Sequence, residues 1–109
     1  MAQTGLLAAF PRRLKQLRIE RGLAARELAA ELRVHASAIY NIERGVHAFS
    51  LNRLPELGRV LRVDVLDLFT FPEQSLRHTL VDVSRDATIE ALRTAHELLR
   101  SWPSTRTNR

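Results

Sequence analysis

The sequence predicts an all-α fold, five short helices followed by a C-terminal helical extension, and three observations carry that reading. Ala, Leu, Arg and Glu, all good helix formers, dominate the 109 residues, whereas Gly and Pro number four each. Apolar residues recur at intervals of three and four along most of the chain, which is the period of one helix face. Strand-like alternation is nearly absent. At 45% apolar content, a chain of this length can build one modest core and an appendage.

The first helix is expected from about Pro11 to Arg21, with proline in the first turn, where its missing N–H costs nothing. Phe10, Leu14 and Leu17 form its inward stripe. From Gly22 to Gly45 the pattern describes two short helices joined by a tight turn. Leu23, Leu28, Ala29 and Leu32 have helical spacing, and the small Ala29 admits a close neighbour; Ile39 and Ile42 form a second set. Arg33, Val34 and His35 break the period between them. Two helices held this way leave the second free to enter a major groove. Gly45 should end it with a left-handed cap. After a loop from Val46 to Ser50, a fourth helix carries Leu54, Leu57, Gly58 and Leu61. Pro55 must lie in its first turn, since a deeper position costs about 3 kcal/mol. Asp64 can cap a fifth helix that buries Val65, Leu68 and Phe69. Thr70-Phe71-Pro72-Glu73 then divides a body, residues 1–71, from an extension, residues 72–109.

In the extension, Leu76, Leu80 and Val83 favour a helix over the strand that Val81 and Val83 alone would suggest. Asp86 should cap a further helix to about Trp102, with Ile89, Leu92, His96 and Leu99 at heptad spacing beside Ala91, Ala95, Leu98 and Trp102. That apolar surface is wide for an isolated helix, with His96 half-buried in its stripe. It either folds back on the body or pairs with a second copy. Residues 103–109 are expected to be disordered.

Several linked positions resemble the Cro and phage-repressor (XRE-like) class of helix-turn-helix domains over about residues 12–69. They are Arg21-Gly22-Leu23 at the entry, Leu28-Ala29 in the second helix, Val34 before the third, Ile39 with Ile42-Glu43-Arg44-Gly45 at its exit, and the closing Leu61-Arg62-Val63. The chain departs from the class at Ala24 and Ala25, where a polar cap and a Gln are favoured, at Arg33, where Gly is common, and at Ala36. The resemblance implies a sequence-specific DNA-binding regulator whose partners are double-stranded DNA and a second copy of the chain. It also implies an ion pair between Arg18 and Glu43, joining the first helix to the end of the third.

A helical wheel at 100° per residue divides the third helix. Ala38, Ile39 and Ile42 point inward; Ser37, Tyr40, Asn41 and Arg44 point outward. Asn41 can pair bidentately with adenine, Ser37 can donate or accept, Tyr40 can stack on sugar or reach phosphate, and Arg44 can hold the backbone. Ala36, at the edge, can meet only a thymine methyl. His35 occupies the usual cap position and His47 the following loop, so both are candidate DNA contacts, as are Arg26 and Arg53 near helix starts. The net charge of +5 suits a polyanion. Residues 1–71 hold 11 basic and 7 acidic groups and residues 72–109 hold 6 and 5, so +4 of the +5 sits with the motif.

Other classes fare worse. No cysteine is present, which removes disulfides, thiolate zinc sites and thiol catalysis and suits the cytoplasm. The apolar cluster Leu6–Phe10 is too short for a signal-peptide core or a membrane span. His35, His47, His78 and His96 show no metal-ligand spacing, and no cofactor is expected. Ser37 or Ser50 with a histidine and Asp64 lacks any nucleophile elbow, so no enzyme is expected. The remaining alternative is an antitoxin or adaptor that binds a protein partner, such as a toxin, through its C-terminal helix.

Overall fold

The computed structural model describes residues 6–103, and the expected disorder of 103–109 falls almost entirely outside them. Seven α-helices and two short 3₁₀ turns, with no strand among the described residues, make up the fold. They are α1 (Leu6–Glu20), α2 (Ala25–Leu32), α3 (Ala36–Glu43), α4 (Leu54–Leu61), α5 (Val65–Leu68), α6 (Leu76–Val83) and α7 (Ile89–Ser101).

The core is formed where the periodic residues of α1 to α5 converge. Leu14, Leu17, Leu28, Leu32, Ile39, Leu57, Leu61 and Leu68 are all fully buried. Ala29, also buried, belongs to the same cluster, and its single methyl takes little space in it. Gly58 serves the same end on α4. A Cβ there would lie 2.9 Å from the Val63 carbonyl oxygen, so a side chain would force the α4–α5 corner apart.

α1 begins five residues earlier than expected, placing Pro11 inside the helix. Interior proline costs about 3 kcal/mol through its lost N–H and its clash with the preceding turn. Packing offsets this cost: Ala9 is buried, and the Phe10 ring lies 5.4 Å from Phe69 and 6.4 Å from Phe49.

The caps differ in quality. Asp64 accepts from Leu66 N at 2.9 Å while Asp67 accepts from Asp64 N at 2.8 Å, a reciprocal box that fixes the four-residue α5. At α2 only half of such a box exists: Glu27 accepts from Ala24 N at 2.7 Å, and alanine returns nothing. The C-caps of α2 and α4, Arg33 and Arg62, have φ of 60° and 57°, a left-handed conformation usually left to glycine.

α6 forms as a helix capped by Ser75 and docks on the body. Arg13, only 2% exposed, donates from Nε to the Asp67 carbonyl at 2.8 Å and from a terminal nitrogen to Asp82 on α6 at 2.8 Å. Arg85 bridges Asp82 at 3.1 Å and Glu20 at 3.0 Å. The Phe71 N–H donates to His78 Nδ1 at 2.7 Å, and the two rings stack. α7 behaves differently. Thr88, not Asp86, caps it, by accepting from Ala91 N at 3.1 Å; Asp86 ends the preceding 3₁₀ turn instead. Every residue of α7 is exposed, His96 included, so this helix does not fold back on the body and His96 is not the half-buried stripe residue expected.

Candidate nucleic-acid interface

The residues of α3 divide as the wheel requires. Ile39 and Ile42 are buried against α1 and α2, while Ser37, Tyr40 and Arg44 are exposed and Asn41 is half-buried. Ala36 is also half-buried and packs on the core, which leaves only part of its methyl to a ligand. His35 is the N-cap of α3 but makes no side-chain capping bond, so its exposed ring is available to an outside partner. At the other end, Gly45 adopts φ 78°, and the backbone N–H groups of Val46 and His47 return to the Asn41 carbonyl at 2.8 and 3.3 Å. This closes the helix and turns His47, exposed, into the loop beside it.

A buried ion pair holds α3 at its angle. Arg18 Nε donates to one Glu43 oxygen at 2.6 Å and a terminal nitrogen donates to the other at 3.0 Å, with the two side chains only 10% and 5% exposed. The remaining terminal nitrogen donates to the Leu23 carbonyl at 2.7 Å, so the fork also clamps the start of the helix pair. The bond to Glu43 raises the Arg18 pKa above its ordinary value despite the opposing effect of burial.

Three expected contact residues have unforeseen intramolecular bonds. Arg44 donates to Asn41 Oδ1 at 2.7 Å, so this amide oxygen is occupied and the NH₂ group remains as the donor of the side chain. Arg53 donates to the Leu32 carbonyl at the end of α2 and pairs with Glu56 at 2.9 Å. It therefore fastens α4 to α2. Arg26 lies exposed on the first turn of α2.

The sequence reading missed the structural roles of Arg13 and Arg21. Arg21 donates to the carbonyls of Leu61 and Arg62 at 2.6 and 2.8 Å, closing the end of α4. Their spacing carried the signal: Arg13 lies three residues after Phe10 and four before Leu17, on the inward face of α1, and Arg21 follows Leu17 by four, just past the helix end. Among the described residues no group of three or more His, Asp or Glu side chains is placed to hold a metal, and no helix is long and apolar enough to cross a membrane.

The helix-turn-helix family model of Cro/C1 type matches residues 14–68, half of the chain, and the chain belongs to this family of DNA-binding regulators. Solved structures agree. The restriction-modification controller protein C.AhdI from Aeromonas hydrophila is 32% identical, with 58% of this chain and 96% of that one covered and a TM-score of 0.55. The clp gene regulator ClgR from Corynebacterium glutamicum is similar in two structures. One is 30% identical over 63% of this chain and 90% of that one, with a TM-score of 0.57. The other is 25% identical over 76% and 94%, with a TM-score of 0.59. No curated protein matches the sequence.

Proposed function

We propose that this chain is a sequence-specific transcriptional regulator that binds a pseudo-palindromic operator as a homodimer and represses by occluding polymerase. One observation carries the reading most: α3 presents Ser37, Tyr40, Asn41 and Arg44 on its outer side while a buried ion pair fixes its inner side. Phosphate contacts from Arg26 and from the loop at His47 would position the helix, and the α3 face would read base edges. Ser37 and the Asn41 amide supply the hydrogen bonds, His35 and the exposed part of Ala36 border them, and Tyr40 and Arg44 reach the backbone. Arg53 contributes through the α2–α4 joint it holds. The titles of the similar structures, a restriction-modification controller and a clp gene regulator, support control of transcription.

The exposed apolar face of α7 favours a second reading, an antitoxin or adaptor that docks a protein through this helix. Salt dependence separates the two. A DNA-binding regulator releases counterions, so its affinity for duplex DNA should fall about 10³-fold or more between 50 and 200 mM salt if six or more phosphates are engaged. Absence of retention on any duplex at low salt would contradict the proposal and leave the adaptor.

A further inference from the structure

The end of α1, the α4–α5 corner and the 3₁₀ turn Ser84–Asp86 surround a cavity of about 410 Å³ whose walls carry four arginines, Arg21, Arg59, Arg62 and Arg85. No residue of α2 or α3 lines it, so it stands apart from the interface described above. Asp64 and Asp67 line it as well, and four arginines against two aspartates leave the walls with a formal excess of positive charge. Each aspartate already accepts a backbone N–H in the cap of α5.

The four arginines are of two kinds. Arg21 and Arg85 are fixed. Each spends Nε and one terminal nitrogen, Arg21 on the carbonyls of Leu61 and Arg62 and Arg85 on Asp82 and Glu20, and each keeps its other terminal nitrogen. Arg59 and Arg62 are exposed, and their side chains make no hydrogen bond or ion pair among the described residues. Arg62 comes to the cavity from the left-handed cap of α4, φ 57°, a conformation that glycine takes without strain and arginine does not. Backbone strain of this kind collects where a side chain serves a ligand. Fixed donors lose little freedom on binding, and the two unpaired ones can close over what they meet.

These groups select a small polyanion. A guanidinium offers phosphate oxygens a planar fork of donors. A lone orthophosphate would fill little of this cavity, whose volume falls within the roughly 300–1,000 Å³ usual for small-molecule sites. Val63 and Leu66 add apolar wall for the group that carries the phosphates. We propose that the cavity binds a small molecule bearing two or more linked phosphates, of the class of a nucleoside diphosphate. Its walls come from α1, α4 and the turn after α6, so the ligand ties the extension to the body at a second place besides the Arg13–Asp82 bond.

Calorimetric titration of the full chain with inorganic pyrophosphate tests this, with orthophosphate run beside it. One pyrophosphate should bind per chain, about 10-fold or more tighter than orthophosphate, and should raise the melting temperature as its concentration rises. Arg59→Ala/Arg62→Gly removes the two unpaired guanidiniums and leaves the left-handed cap to glycine. Without ligand this variant should melt no lower than the parent, and its affinity for pyrophosphate should fall about 10-fold or more. Arg93→Ala/Arg100→Ala takes the same charge from exposed positions on α7 and should bind as the parent does. Failure to bind millimolar pyrophosphate overturns the inference. Equal losses in the two double variants also overturn it, because net charge alone would then attract the ligand. A salt slope for duplex DNA that flattens by about two units in Arg59→Ala/Arg62→Gly would assign the two arginines to DNA phosphates and overturn it as well.

Discussion

At the scale of the residue, the Arg18–Glu43 pair joins sequence to function most directly, because it holds α3 against α1 with both partners nearly out of solvent. Removing one partner strands a buried charge and costs about 3–5 kcal/mol. Glu43→Ala should therefore lower the melting temperature by ten degrees or more, at roughly 4–8 °C per kcal/mol for a domain of this size. A shift of only a degree or two would mean that water already solvates the pair. Asn41 and Arg44 form the other decisive unit. Asn41→Ala should lose about 1–3 kcal/mol on the preferred operator and leave non-specific binding nearly unchanged. Arg44 was legible in the sequence only as a phosphate contact. Its bond to Asn41 Oδ1 adds a second expectation, that Arg44→Ala weakens every sequence and also alters preference at the base pair Asn41 reads. Unaltered preference in Arg44→Ala, measured on operators varied at that base pair, would show that the bond does not persist on DNA.

Among the elements, the helix pair was legible because its period, its turn and its glycine agree, and each is a local signal. The caps were less so. Arg33 and Arg62 sit in left-handed backbone that costs a non-glycine residue about 1 kcal/mol. Arg33→Gly should recover part of this and raise the melting temperature by a few degrees; a lower value would show that the Arg33 side chain contributes more than its backbone loses. The start of α1 was misplaced because the packing of Phe10 on Phe49 and Phe69 is tertiary, and no local rule on proline anticipates it. The docking of α6 was hidden for the same reason. It depends on Arg13 meeting Asp82 across 69 residues. Burial pushes the Asp82 carboxyl up, but the bond from Arg13 and the charges of Arg13 and Arg85 outweigh it, and its pKa lies below the ordinary carboxylate value. The stability from this bond is thus full above the ordinary carboxylate range and lost as pH falls beneath it. Protection of the α6 amides, taken against their intrinsic exchange rates at each pH, should fall on acidification through that range in the parent and be low throughout in Asp82→Asn. Equal protection at neutral and strongly acid pH in the parent would contradict this account.

On the scale of the whole molecule, the sequence placed the body and the extension apart at Phe71, but the bonds of Arg13, His78 and Arg85 cross that line. We propose a working boundary near Ala87, after α6 and its 3₁₀ turn. A chain cut after Ala87 should melt close to the parent's body, whereas one cut after Phe71 leaves Arg13 buried without Asp82 and should be markedly less stable. Equal melting of the two would return the boundary to Phe71. The outward face of α3 was legible from periodicity alone, since burial of Ile39 and Ile42 dictates what must face away. The bonds that tie up Arg53 and Asn41 were not, because they depend on where α2 ends and how Arg44 leaves its helix. Selection of bound duplexes from a random pool, run with the parent and with Asn41→Ala, tests the central claim that this face reads sequence. The parent should enrich a motif with two inverted half-sites, and Asn41→Ala should lose preference at one symmetric position in each. An unenriched pool, or the same motif from both proteins, would contradict it.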